Sequence, residues 1–191
     1  KSGVGQSKGQ GFEQYSFLEK SKRYEQLFEI LRNLKGVNSD QVGVHGPSEG
    51  GRLALMMASS LKDKIAFVNA TAAPLMTMKE GQLFAVDHYH RNLGVAENDI
   101  VTILNIWRNY YDGIIRGQID STDFEYIKQI RRQYQRAFLP PLRTELPLSP
   151  QKEDLMDQTV AEKADQIRCP VFLQYGENDQ RVNPYKSIQN F

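Results

Sequence analysis

Two short segments of this 191-residue chain hold the residue types that acyl transfer needs, Gly46-Pro47-Ser48-Glu49-Gly50-Gly51 and Gly176-Glu177-Asn178-Asp179. The first matches G-x-S-x-G, in which a serine occupies a sharp strand-to-helix turn with its hydroxyl exposed. Strand and helix approach closely around such a serine, so small residues are needed, which assigns Gly46, Gly50 and Gly51 to the turn. The following helix aims free N–H groups and the positive end of its dipole at any negative oxygen that forms beside the serine. Ser48 is therefore the candidate nucleophile, and the backbone N–H of Glu49 is the candidate oxyanion donor. The competing reading of the same residues is an N-cap serine in a glycine-rich turn.

Asp179 is the candidate acid. It follows an apolar strand, and in parallel sheets functional groups collect just past the carboxyl ends of the strands. A carboxylate there can hold an imidazole in one tautomer and stabilise the imidazolium that forms during proton transfer. Glu177 is the other carboxylate in the loop and lies nearer the strand end. The competing reading is a turn aspartate.

The third partner of such a site is a base, which typically contributes about 10²–10⁴-fold. The chain has three histidines, His45, His88 and His90, and none follows Asp179. His45 reads as a satisfied strand-end histidine. His88 and His90 flank Tyr89, so at most one of them can face a site, and both read as exposed residues of a helical segment. Three histidines and one cysteine make a multi-histidine metal site or a cysteine-based zinc site improbable, and a lone cysteine rules out an internal disulfide. Cys169 reads as buried and inert. No metal or organic cofactor is expected, because serine acyl transfer needs none.

The elements that must position these residues follow from periodicity. Residues 17–35 place Tyr24, Leu27, Phe28, Leu31 and Leu34 at three- and four-residue steps, which predicts an amphipathic helix with one buried stripe, ended by Gly36. Residues 41–45 predict a strand, 52–61 a helix, 65–70 a second strand and 170–175 a third. Helix, strand, tight turn, helix, strand is the alternation of an α/β protein with a parallel sheet. Residues 75–142 are helical in pattern, with Ile100, Ile103, Leu104, Trp107 and Tyr111 on one face and Tyr126, Ile130 and Tyr134 on another. Trp107, Tyr110 and Tyr111 have helical spacing, which favours packing over a substrate pocket. Arg131, Arg132, Arg136 and Arg143 read as a solvated face. The expected organisation is a core over 1–74, a helical insertion over 75–142, and a return to the core over 143–191, of which 143–160 is connection.

Taken together these residues resemble the α/β-hydrolase superfamily, and more narrowly bacterial carboxylesterases with a G-H-S-E-G-G elbow, proline standing here at the histidine position. Gly3-Val4-Gly5-Gln6-Ser7 resembles their R-G-x-G-x-S loop, with Ser2 where arginine is usual. Val42-Gly43-Val44, Ala66-Phe67-Val68 and Pro170-Val171-Phe172-Leu173 resemble the fifth, sixth and seventh strands. The resemblance implies an α/β-hydrolase fold whose helical middle is a lid. It implies a serine hydrolase acting on a small carboxylic ester through an acyl-enzyme on Ser48, with Asp179 orienting a histidine that follows the acid. It also implies a second oxyanion donor from a loop after the third strand. Neither that histidine nor that loop is within these 191 residues, so the chain is expected to be an interior portion of a longer hydrolase. A peptidase or acyl-aminoacyl hydrolase of the same fold, or a degenerate hydrolase fold kept as a binding module, are the alternatives.

Composition sets the outer bounds. Apolar residues make up 40% and charged residues 25%, the balance of a globular domain with a real core. A formal charge of +1 argues against a nucleic-acid or anionic-membrane binder. No apolar stretch approaches the roughly 20 residues that span a bilayer. The expected partner is a small-molecule ester, with no nucleic acid and no membrane span. The chain opens with Lys1-Ser2-Gly3 and shows no signal peptide, so its natural start is expected to lie upstream.

Overall fold

The computed structural model describes residues 5–9, 11, 14–146 and 158–191. Three strands, β1 (Val44–Pro47), β2 (Val68–Thr71) and β3 (Val171–Gln174), form a parallel sheet in the order β1-β2-β3. His45 pairs with Asn69 and Asn69 with Phe172; Pro47 pairs with Thr71 and Thr71 with Gln174. The helices are α1 (Phe17–Arg32), α2 (Glu49–Leu61), α3 (Met78–Asn92), α4 (Glu97–Arg116), α5 (Phe124–Gln133) and α6 (Pro184–Asn190). The α/β class and the parallel sheet with flanking helices are as the sequence predicts. The loop Gly3-Val4-Gly5-Gln6-Ser7 and the connection 143–160 lie partly outside the described residues.

The core forms where α2 lies on the sheet. Residues Gly51 to Ser59 of α2 are all buried, and Val68 and Ala70 of β2 meet them from the sheet. α1 and the turn Val160–Gln166 close over α2 from the other sides, through Phe17, Phe28, Val160 and Ala161. Burial alternates along each strand, so His45, Asn69 and Phe172 occupy the sheet face opposite α2, and Phe172 is 60% exposed. Each predicted strand is displaced by one to three residues. Ser39–Gln41 forms a 3-10 turn instead of opening the first strand, and β1 runs on into Gly46-Pro47.

α1 departs from its predicted pattern. Of the predicted stripe only Phe28 is fully buried, while Leu27, Leu31 and Leu34 are about half exposed. The helix ends at Arg32, capped at Asn33, and Gly36 belongs to the turn beyond. The cause is lateral position: among the described residues β1 is the last strand on that side, so the outer face of α1 has no sheet beneath it. A groove of about 650 Å³ results, lined by Tyr24, Leu27, Phe28, Leu31 and the β1 edge up to Ser48. The start of α1 is well specified, with Ser16 and Glu19 forming a reciprocal capping box.

Helices α3 to α5 build a second core from Val86, Ile100, Ile103, Ile106, Trp107, Tyr111, Ile114, Ile127 and Ile130. The α4 face is as predicted. In α5 the buried pair is Ile127 and Ile130, whereas Tyr126 is exposed and Tyr134 lies at the C-cap. Trp107 stacks on Tyr111 with centroids 5.2 Å apart and donates its indole N–H to the carbonyl of Phe138 at 3.0 Å, so this aromatic group is packing.

Candidate functional site

Ser48 sits between β1 and α2 with φ 51° and ψ −121°, a left-handed backbone that L residues adopt only under strain. The surrounding structure imposes it. The Ser48 amide donates to Thr71 O at 2.8 Å, which extends the β1–β2 ladder by one residue, and the Ser48 carbonyl accepts from Gly51 N at 2.9 Å, which begins the helix. A strand bond on one side and a helix bond on the other force the reversal onto this single residue. Its side chain makes no capping bond, so the hydroxyl is exposed and uncommitted. Ser48 thus occupies the N-cap position of α2, as the competing reading has it, without a side-chain capping bond.

The glycines divide by contact. A Cβ on Gly46 would lie 2.3 Å from the Gly50 carbonyl group, and one on Gly51 would lie 2.7 Å from the Ala73 side chain and 2.9 Å from Gly46 O. Both must be glycine for β1 and α2 to approach as they do. A Cβ on Gly50 would meet only Pro47 Cδ, at 3.4 Å, an ordinary contact. Pro47 fits because Val44 and Ser48 turn their N–H groups toward β2, which leaves position 47 facing the open side, where a missing N–H loses no ladder bond.

Glu49 is the first residue of α2, and neither its amide nor that of Gly50 has an acceptor among the described residues. These are orphan donors of a helix N-terminus beside the Ser48 hydroxyl. The Glu49 carboxylate turns away to Lys20 of α1, Nζ to Oε1 2.8 Å. Sequence reasoning missed Lys20. The available signal was its place one turn before Tyr24 and two before Phe28, on the helix face that meets the core.

Asp179 lies past the end of β3, half-buried. Its Oδ1 accepts from the amides of Arg181 at 2.8 Å and Val182 at 3.0 Å. One carboxylate oxygen is thereby fixed by backbone. Ser48 follows β1 and Asp179 follows β3, with β2 between the two strands. Because the strands are parallel, both residues lie past the same, carboxyl edge of the sheet.

Among the described residues, none of the three histidines hydrogen-bonds to Ser48 or Asp179. His45 is exposed on β1 with Nδ1 3.2 Å from Asn69 O. His88 has Nδ1 3.1 Å from Phe84 O within α3. His90 corrects the expectation of an exposed residue: it is fully buried, with Nδ1 2.7 Å from Val86 O, and Nε2 accepts the Phe138 amide at 3.1 Å. Both ring nitrogens are used, so the ring is neutral with its proton on Nδ1. Burial pushes its pKa below the ordinary 6.5. The folded chain then binds fewer protons than the unfolded one between the two values, so this contribution is complete above pH 6.5 and fades as pH falls below it. Lowering the pH from about 7.5 to 5.5 is expected to reduce Tm, and His90→Gln to flatten that slope. An unchanged slope in the variant would contradict this assignment.

Cys169 is half-buried, not buried as expected, and burial raises its thiol pKa, which leaves it a poor nucleophile. Among the described residues no group of three or more His, Cys, Asp or Glu side chains could hold a metal ion, and no helix is long and apolar enough to cross a membrane.

The sequence profile of the family described as BAAT / Acyl-CoA thioester hydrolase C terminal matches residues 22–129, which include the Ser48 turn and most of the helical segment. Among solved structures, the chain is similar to the hypothetical protein PA2218 from Pseudomonas aeruginosa, at TM-score 0.51 and 16% identity, over 98% of this chain and 60% of that one. It is also similar to VinJ, at TM-score 0.46 and 14% identity, over 90% of this chain and 60% of that one. The chain thus spans about three fifths of the length of each. The first likeness supports the fold alone. A search of curated proteins returned no match.

Proposed function

Because this chain belongs to the BAAT / acyl-CoA thioester hydrolase C-terminal family, we propose that it carries the nucleophile and the acid of a serine acyl hydrolase. The observation that carries the reading is Ser48 itself, strained at φ 51° between a ladder bond and a helix bond, hydroxyl uncommitted, beside two free helix amides. Ser48 Oγ attacks the acyl carbonyl while a base takes its proton, and the Glu49 N–H receives the developing oxyanion. Collapse of the tetrahedral intermediate breaks the bond to the leaving group, which departs with the proton returned by the base, and leaves an acyl-serine. Water, deprotonated by the same base, then releases the acid and restores Ser48.

Asp179 orients that base. Its Oδ1 is anchored on two amides, which leaves Oδ2 as the oxygen to accept an imidazole N–H. We assign the imidazole to a histidine other than His45, His88 and His90, whose Nδ1 atoms lie on the Asn69, Phe84 and Val86 carbonyls. The helical residues 75–142 act as a lid, supported by the bond of Asn92 Nδ2 at the end of α3 to Gln180 Oε1, 2.7 Å, directly beside Asp179.

The substrates are acyl esters and thioesters. The family description points to thioesters, and a thiolate leaves an acyl intermediate more readily than an alkoxide does. The intact protein, assayed with p-nitrophenyl esters and acyl-CoA thioesters, is expected to hydrolyse both classes in a Ser48-dependent manner. Hydrolysis of neither would overturn the reading and favour a binding module. Asp179→Asn keeps an oxygen for the two amides, so it is expected to fold normally and to lose about 10⁴-fold in kcat. A loss under tenfold would remove Asp179 from the role.

A further inference from the structure

A lysine is almost never buried without a partner that needs it there. Lys20 is 5% exposed, in a helix whose neighbouring apolar residues Leu18 and Leu27 are about half exposed. Its ammonium contacts a carboxylate 29 residues away, that of Glu49, directly after Ser48. Tyr24, one turn further along α1, is close enough for the Glu49 charge to add to burial in raising its phenol pKa. One face of α1 therefore addresses the first residue of α2.

Glu49 creates a difficulty for an oxyanion site. Free amides at a helix N-terminus attract the nearest anion. The acidic residue in the first turn of α2 is Glu49, whose own N–H is the donor. Left unrestrained, its carboxylate competes for those amides and places like charge beside the forming oxyanion. Resting on the reading of Ser48 as nucleophile, we propose that Lys20 is a positioning residue: it draws the Glu49 carboxylate onto α1, away from the helix N–H groups, and cancels its charge at the place where the oxyanion forms. The pair is half in solvent on the Glu49 side, with 48% of that side chain exposed, so the effect on rate is moderate.

The test uses the intact protein with p-nitrophenyl butyrate as substrate and a fluorophosphonate to label Ser48. Lys20→Met is expected to lower kcat about tenfold with KM little changed, since the interaction matters only once the oxyanion exists. Lys20→Arg, which keeps the charge, is expected to recover most of the rate. In a Glu49→Gln background, Lys20→Met is expected to cost less than about threefold, because no carboxylate remains to restrain. If Lys20→Met does not fold, Lys20→Gln, which keeps a donor and loses the charge, is expected to show the same loss. A strut that merely joins α1 to α2 predicts something else: a lower Tm, with kcat of the folded protein within about twofold of wild type. That result, or an equal loss in the Glu49→Gln background, overturns the proposal while leaving the nucleophile reading intact. A wild-type protein whose Ser48 is neither labelled nor hydrolytically competent overturns both.

Discussion

Replacing Ser48 with alanine is expected to lower kcat of the intact protein by at least about 10⁴-fold while leaving its fold unchanged. The size follows from the nucleophile being removed, not weakened: without Oγ no acyl-enzyme forms, and only the oxyanion donors and binding remain. The intact fold follows from the backbone. The bonds that hold residue 48 are its N–H to Thr71 O and its C=O from Gly51 N, and both survive truncation of a side chain that makes no cap. Ser48→Gly sharpens the test. Glycine relieves the strain of φ 51°, worth about 1 kcal/mol or more, so this variant is expected to raise Tm while being equally inactive. Stability and activity moving in opposite directions at one position is the mark of a strained functional residue. If Ser48→Gly lowered Tm, the turn would not be strained in this way; if Ser48→Ala kept a tenth of the activity, another group would be the nucleophile.

The largest expected effect on folding is at Gly46. A methyl group there would stand 2.3 Å from Gly50 C and O and 2.8 Å from Gly51 N, all backbone, so no side chain can move aside to admit it. β1 and α2 would have to separate where the core is densest. Gly46→Ala is expected to cost upwards of about 3 kcal/mol, which for a chain of this size lowers Tm by roughly 10 °C. Gly50→Ala is the matched control. Its Cβ would meet Pro47 Cδ at an ordinary 3.4 Å, inside a helix, and stability is expected to change by less than about 1 kcal/mol. Thermal unfolding of the two variants separates the close-approach requirement from a general preference for small residues. Equal losses in both would refute the assignment of that requirement to Gly46.

The pattern G-x-S-x-G located the Ser48 turn from sequence because its chemistry is local: strand, reversal and helix lie within about fifteen residues. The division of labour among the glycines was not legible, since it depends on whether a neighbour is backbone, as at Gly46, or the edge of a proline ring, as at Gly50. The α1 stripe was read correctly as amphipathic and wrongly as buried. Periodicity reports which face is apolar, whereas burial depends on whether a strand lies beneath that face, and among the described residues no strand lies beyond β1. His90 carried no sequence signal for burial. Its two hydrogen bonds reach Val86, one turn back, and Phe138, 48 positions on, and only the second bond ties the ring to the far side of the helical unit. Lys20 was missed for a related reason. A lysine on an amphipathic helix ordinarily faces water, and the carboxylate that holds it inside lies beyond a turn and a strand.

In the proposed reading, the strained Ser48 attacks, the Glu49 amide receives the charge and the anchored Asp179 carboxylate orients the base. The claim on which the rest depends is that Ser48 Oγ is an activated nucleophile. It is tested most directly by treating the folded intact protein with a fluorophosphonate and mapping the adduct by mass spectrometry. The account predicts one covalent phosphonyl group per chain, on the peptide containing Ser48, and none on the Ser48→Ala variant. A folded protein that stays unlabelled, or that carries the label on another residue, would contradict it.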